Sequence, residues 1–370
     1  MSYRGENMKN ILGNNLTVTL FGESHGEAIG AVLDGMPAGI KVDEDFIKYQ
    51  LDLRKPYGKI STPRKETDNF KIISGVFDRF TTGAPICILI PNENTKSADY
   101  GELKTKMRPS HADFVAHEKY NGFADFRGGG HFSGRITAAL VAAGAILISV
   151  LKQKGILIGS HISRLANIND MQFSDFEKEI ISLNQKQFAV LDDEIADEMQ
   201  EKILDAAKMG DSVGGVIETA VIGMPIGVGE PWFDTVEGML AKALFSVPAV
   251  KGVEFGLGFK ISDLKGSEAN DELYYDGDIV KTRTNNNGGI NGGITNGMPI
   301  IFKSAIKPTP TISLEQNTID IKEKVNTVLS ARGRHDPCIV HRARVVIDSV
   351  TALVISDLLI GKYGADWMAK

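Results

Sequence analysis

A chain of 370 residues, 42% hydrophobic and 24% charged, is long enough to bury a substantial core as one large domain or two smaller ones. Its net charge of −6 argues against a general nucleic-acid surface, and its two cysteines, Cys87 and Cys338, fall in no CxxC or metal-type spacing, which argues against a disulfide framework or a zinc site. The 39 glycines exceed the usual share of about 7%, so the backbone must turn tightly or approach something closely at many places.

The first ten residues, MSYRGENMKN, hold no apolar stretch behind their charges and read as a disordered or added tail, not a signal peptide, so the cytoplasm is the expected compartment. The hydrophobic pattern then predicts a strand over 16–20, a helix over 43–53, strands over 70–76 and 86–90, and helices over 135–151, 174–183 and 192–208. Beyond these come a strand over 212–222, a helix over 236–245, strands over 253–261 and 299–306, and helices over 319–329 and 343–363. The apolar run 138–151 falls short of the roughly 20 residues that cross a bilayer and reads as a buried helix. Strands and helices cluster and do not alternate as βαβα. No strand–GxGxxG–helix unit and no GxxxxGK[ST] occurs, so neither a Rossmann nor a P-loop site is supported.

Two pairs of turns repeat in order: GMPAGI at 35–40 with GMPIGV at 223–228, and TTGAPICILI from Thr81 with TNGMPIIFKSA from Thr295. One reading is similar turns in a glycine-rich chain; the sharper one is an internal pseudo-twofold duplication of one domain over 11–370, with halves of about 11–210 and 211–370. The acid-rich stretch 170–210 then suits a surface connection between them.

Five segments carry chemistry. FGESHG at 21–26 ends a strand, and its flanking glycines leave His25 accessible for proton transfer near neutral pH, although a lone histidine at a strand end is more often a structural hydrogen-bonder. MRPSHAD at 107–113 sets Arg108, a fork for phosphate or carboxylate, three residues before His111; by itself the segment reads equally as a solvated loop with a salt bridge. FRGGGHFSGR at 126–135 runs into a helix, so its backbone amides, Ser133 and Arg135 make an anion site. NNNGGINGGI at 285–294 is too rich in glycine for regular structure and suits a flat ligand, with KPTPT at 307–311 one strand later. RGRHDPC at 332–338 concentrates two arginines, an imidazole and a carboxylate in the five residues 332–336, with Gly333 and Pro337 fixing the loop; a surface charge run is the plainer reading. No histidine pair has HxH or HExxH spacing, so no metal site is expected.

Together and in this order, the five segments resemble those of the chorismate synthase family from about Leu12 to the C-terminal helix. The resemblance implies an α+β fold, a β-α-β sandwich of antiparallel sheets around packed helices with an internal pseudo-twofold repeat, assembled as a homotetramer. It implies a lyase that converts 5-enolpyruvylshikimate 3-phosphate to chorismate with reduced FMN, NADPH or an external flavin reductase being the candidate reductant source, and with no nucleic-acid or membrane partner. Residue by residue it implies catalytic roles for His25, His111 and Asp336, and substrate-binding cations at Arg54, Arg108, Arg135 and Arg334. Flavin-contacting positions fall on His131, Phe132, Ser133, Pro248, Ala249, Gly292, Lys307, Pro308, Thr309, Pro310, Thr311 and again Arg334. Many members read GGGRSSAR where this chain has GGGHFSGR, and Lys59 stands near where many have a second arginine; a lysine offers a point charge in place of a fork. Two other classes fit parts of the pattern: a flavin- or phosphate-binding protein without catalysis, which would not need both imidazoles, and a metal-dependent phosphatase.

Overall fold

The structure is a computed structural model that describes residues 10–62, 67–93, 102–330 and 336–370; apart from Asn10, the expected tail lies outside them. Strands β1 (Ile11–Leu12), β2 (Thr17–Gly22) and β3 (Ala28–Asp34) precede helix α1 (Glu44–Arg54). Next come β4 (Lys71–Ser74), the hairpin of β5 (Val76–Phe77) and β6 (Phe80–Thr81), β7 (Ile86–Pro91), the short α2 (Asp113–Lys119) and the long α3 (Thr137–Gln153). The chain continues through β8 (Leu157–Leu165), β9 (Ile168–Asn169), α4 (Phe176–Leu183), α5 (Asp193–Lys208), β10 (Gly215–Ile222), α6 (Val236–Leu244), β11 (Val250–Phe255) and α7 (Gly266–Ala269). Hairpins β12 (Leu273–Asp276)–β13 (Ile279–Thr282) and β14 (Ile290–Asn291)–β15 (Ile294–Thr295) lead to β16 (Ile300–Ile306). The hairpin β17 (Gln316–Asp320)–β18 (Val325–Leu329) and the closing helix α8 (Val340–Tyr363) follow.

Two five-stranded antiparallel sheets result, ordered β1-β2-β3-β7-β4 and β11-β16-β10-β8-β9. Helices α1, α3, α6 and α8 fill the space between them, with α3 on the first sheet, α8 on the second, and the two in contact along their length. They approach closely at Gly144, where an added Cβ would lie 2.4 Å from Cβ of Ser349. With its 3-10 lead-in, α3 spans Gly134–Gln153 and is long and apolar enough to cross a membrane; here 83% of its most apolar window is covered by the protein itself. This is the α+β sandwich that the resemblance implies.

The two sheets share one plan. An antiparallel pair (the hairpin β2–β3, and β8–β10 with β9, α4 and α5 inserted between its strands) ends in a GMP turn, a helix follows (α1, α6), and two further strands (β4 and β7, β11 and β16) extend the sheet. The repeated turns match at the level of single atoms. Thr81 Oγ1 donates to Pro37 O and accepts from Ile40 N at 2.6 and 2.9 Å; Thr295 Oγ1 donates to Pro225 O and accepts from Val228 N at the same distances. Because β8 already belongs to the second sheet, residue 210 falls inside that unit, and the topological break lies at Gly155 between α3 and β8.

Other elements depart from the pattern reading. The helix expected over 319–329 is the β17–β18 hairpin, paired from Gln316 with Leu329 to Asp320 with Val325, and Asp320 Oδ1 accepts from the amides of Lys322 and Glu323 to fix the turn. The strand expected over 253–261 stops at Phe255, because Gly256 and Gly258 adopt φ of 55° and 57° and a 3-10 turn follows. Strands β3 and β8 were not expected. In β8, buried Ser160 and His161 interrupt the apolar signal that marks a core strand.

Candidate active site

Strand β2 ends at Gly22, and residues 23–26 turn the chain into β3, with Gly26 N donating to Glu23 O at 3.1 Å. The glycine-rich loop folds onto this turn. Ser24 N donates to Gly130 O at 3.1 Å, and His131 Nδ1 donates to Gly22 O at 2.7 Å. Gly128, Gly129 and Gly130 all adopt positive φ (60°, 84° and 53°), a run that a side chain would strain. Their bare backbone is needed for space as well. A Cβ on Gly128 would lie 2.4 Å from Cε1 and Nδ1 of His25, and one on Gly129 would lie 3.2 Å from Cε1 of His111. Two imidazoles distant in sequence thus meet the same dipeptide.

His111 belongs to a tight cluster. Asp113, the first residue of α2, accepts from Arg108 Nε at 2.7 Å and Nη2 at 2.8 Å, and meets His111 Nδ1 at 2.6 Å. Burial alone would raise the Asp113 carboxyl, but the hydrogen bonds from Arg108 and His111 hold it well below the usual carboxylate range. An ionised Asp113 draws the imidazole proton to Nδ1, leaving Nε2 as the atom that can exchange a proton elsewhere. Arg108 Nη1 reaches Thr311 Oγ1 at 3.4 Å, and Lys307 Nζ donates to Ser110 O at 2.6 Å while its amide donates to Ala249 O. The expected segments 107–113, 248–249 and 307–311 are therefore one neighbourhood. The β17–β18 hairpin braces it: Met107 N donates to Ile319 O, and Thr318 Oγ1 to Met107 O.

A second cluster joins Arg54 and Arg135. Helix α1 ends at Arg54 because Lys55 precedes Pro56 and leaves the helical region, which sets the buried guanidinium at the helix terminus. Arg54 Nη2 donates to Asp68 Oδ2 at 2.8 Å, and Arg135 Nη1 donates to Asp68 Oδ1. Burial would raise the Asp68 carboxyl, yet the two guanidinium charges bring it down to about 2. Arg135 Nε also donates to Oδ1 of Asn92 at 3.0 Å. Asp336 accepts from Thr62 N at 2.9 Å and from Arg342 Nη1, while Arg342 Nε donates to the carbonyl of Arg54 at 2.9 Å. Next to it the buried His341 ring meets Ser61 Oγ at 2.8 Å, and burial pushes this imidazole down to about 3, so it is neutral.

Hydrogen bonds thus link Arg108 to His111 and Thr311, and Lys307 to Ala249 and Ser110, while the glycine-rich loop lies between His111 and His25 and carries His131. Arg135 joins them through Asn92, and Arg54 and Asp336 through Asp68 and Arg342. Ser133 caps the turn into α3, its Oγ accepting from Arg135 N; Phe132 is 39% exposed beside Tyr120. Gly292 tips the β14–β15 hairpin, where its neighbour Gly293 faces Thr235 and Glu230, not the two histidines. Arg334 lies outside the described residues. The pattern reading missed Asp68, Asn92 and Arg342, which stand in no motif that it singled out.

A sequence model of the chorismate synthase family matches residues 16–360. The chorismate synthase of Dehalococcoides mccartyi is 47% identical over 354 residues, covering 95% of this chain and 96% of the relative. That of Pyrococcus abyssi is 46% identical over 349 residues, covering 94% and 97%. A solved structure described as the crystal structure of chorismate synthase superposes with a TM-score of 0.74 at 31% identity, covering 95% of this chain and 94% of the other. With the family matched from the first sheet to the last helix, the chain belongs to the chorismate synthase family.

Proposed function

We propose that the chain eliminates phosphate from 5-enolpyruvylshikimate 3-phosphate to give chorismate, the last step of the shikimate pathway, with reduced FMN as cofactor. The observation that carries this reading is the convergence of His25 and His111 on Gly128–Gly129, with Arg108 held beside His111. The reaction breaks one C–O bond to phosphate and one C–H bond at C6 and forms one C=C bond, so no oxidant or reductant is consumed. A C6 hydrogen of this ring is not acidic enough for a side-chain base alone. When bound, reduced FMN supplies electron density that assists departure of the phosphate.

The protein's own groups bind and move protons. His111 gives the proton on Nε2 to the departing phosphate oxygen, with Asp113 fixing the ring. Arg108 and Arg135 hold the anionic substrate, an acidic protein thereby concentrating cations in one cavity. His25 holds a proton beside the cofactor, and Asp336 takes part in moving the C6 proton. The segment 307–311 has the chemistry to hold a flavin phosphate and ring. Burial and Lys251 lower the Lys307 ammonium, as in a site awaiting an anion, and the buried Thr309 Oγ1 has no hydrogen-bond partner among the described residues. Ala249, at φ 76°, turns its backbone toward Lys307.

The same reading places the enzyme in the cytoplasm as a homotetramer. No Rossmann unit occurs in the sequence, which supports reliance on an external flavin reductant; an anaerobic assay with NADPH and FMN alone tests this. The activity itself is tested anaerobically with substrate, FMN and dithionite, and the expected result is one phosphate released per chorismate. His25→Ala and His111→Ala should each lower turnover by roughly 10² or more while flavin binding persists. Flavin binding without turnover in the unaltered protein would instead favour a binding protein.

A further inference from the structure

Asn92 follows the last residue of β7 and stands in none of the five chemistry-bearing segments, yet its side chain joins two of them. Its two amide hydrogens point to the turn that carries His25: Nδ2 lies 2.9 Å from Glu23 O and 2.9 Å from Gly26 O. Its Oδ1 accepts from Arg135 Nε at 3.0 Å. The surroundings fix this orientation, because a reversed amide would set an oxygen against two carbonyls and an NH2 against a guanidinium. The glycine-rich loop holds the same turn from another side, through Ser24 N to Gly130 O and His131 Nδ1 to Gly22 O. Asn92 thus bridges the His25 turn directly to the Arg135–Asp68–Arg54 ion cluster.

We infer that Asn92 is a positioning residue that sets His25 relative to the anion held by Arg135. This rests on the proposed elimination, which the unaltered enzyme must first show; an inactive unaltered enzyme sinks that reading and not this one. Asn92→Asp keeps the shape and the acceptor for Arg135 but removes both donors to the turn. Asn92→Ala removes all three bonds. With reduced FMN and 5-enolpyruvylshikimate 3-phosphate, Asn92→Asp should lower kcat roughly 10- to 100-fold, with KM for the substrate within about threefold of the unaltered enzyme. Its pH–rate profile should change in the limb that His25→Ala removes. Asn92→Ala should also raise KM. Asn92→Asp should lower the thermal midpoint through its two lost hydrogen bonds yet still melt cooperatively above the assay temperature, with flavin affinity near that of the unaltered enzyme. A folded Asn92→Asp enzyme with unchanged kcat and pH profile would overturn the inference, as would equal rises in KM for the two variants with kcat unchanged. Should Asn92→Ala fail to fold, the Asp variant alone decides.

Discussion

Replacing Gly128 by alanine separates the backbone role of the glycine-rich loop from its role as a surface for His25. The new Cβ would stand 2.4 Å from Cε1 and Nδ1 of the imidazole and 2.8 Å from Ser24 Oγ, whereas ordinary contact begins near 3.4 Å, so the ring must retreat by about 1 Å. Displacement of a catalytic group by that distance costs on the order of 10²-fold in rate. The positive φ of 60° adds about 1–2 kcal/mol of backbone strain, which is a stability effect and not a catalytic one. Gly155 provides the control. It has φ of 76° with nothing within 4 Å of an added Cβ, so Gly155→Ala pays similar strain and displaces nothing. Urea unfolding should show a strain loss for both variants, larger for Gly128→Ala by the cost of its clash, and anaerobic chorismate formation should fall about 100-fold for Gly128→Ala alone. A folded Gly128→Ala enzyme with kcat within about threefold of the unaltered enzyme would refute the placement of His25 against this loop.

Asp113→Asn removes the charge that orients His111 and pairs with Arg108; kcat should fall by roughly 10- to 100-fold, measured as phosphate release under reducing conditions. Stability should peak near pH 6.5. The buried His161 is held between Asp170 and Glu218, and although burial alone would lower its pKa, these two carboxylates raise it above 6.5. Its contribution is then fully present below 6.5 and lost as pH rises through the folded-state value. His341, lowered to about 3 by burial, acts the other way: the unfolded chain binds its proton below 6.5, so stability falls as pH drops from 6.5 toward 3. Urea unfolding from pH 4 to 9 checks both limbs, and His161→Gln should flatten the alkaline one. Thr81→Val and Thr295→Val each strip a buried turn of two hydrogen bonds; each should cost about 1–3 kcal/mol, and the double variant should show their sum, since the turns lie in different sheets.

The parts of the site that lie in local motifs were legible in the sequence. FGESHG, MRPSHAD and the glycine-rich loop each bring their own candidate residue, and Arg108, His111 and Asp113 are close because they are neighbours on the short turn that leads into α2. What the pattern reading could not supply were partners set by tertiary folding. Asp68 reaches Arg54 across 14 residues and Arg135 across 67, and Asn92 sits in a polar strand-end turn with no periodic signal. The β17–β18 hairpin was misread for a related reason: its apolar residues fit a helical period as well as an alternating one, and pairing with residues 105–107 decides the matter. The repeated GMP turns did carry the architecture, because each threonine hydroxyl must satisfy the same two backbone groups wherever that turn is built.

One anaerobic measurement decides the assignment: phosphate and chorismate followed together after 5-enolpyruvylshikimate 3-phosphate is added to the protein with FMN and dithionite. Equal amounts of the two products, formed over many turnovers and suppressed by His111→Ala, are the expected result. A folded, flavin-bound protein that releases no chorismate, or that releases phosphate without it, would contradict the assignment of His25, His111 and Arg108 to this elimination.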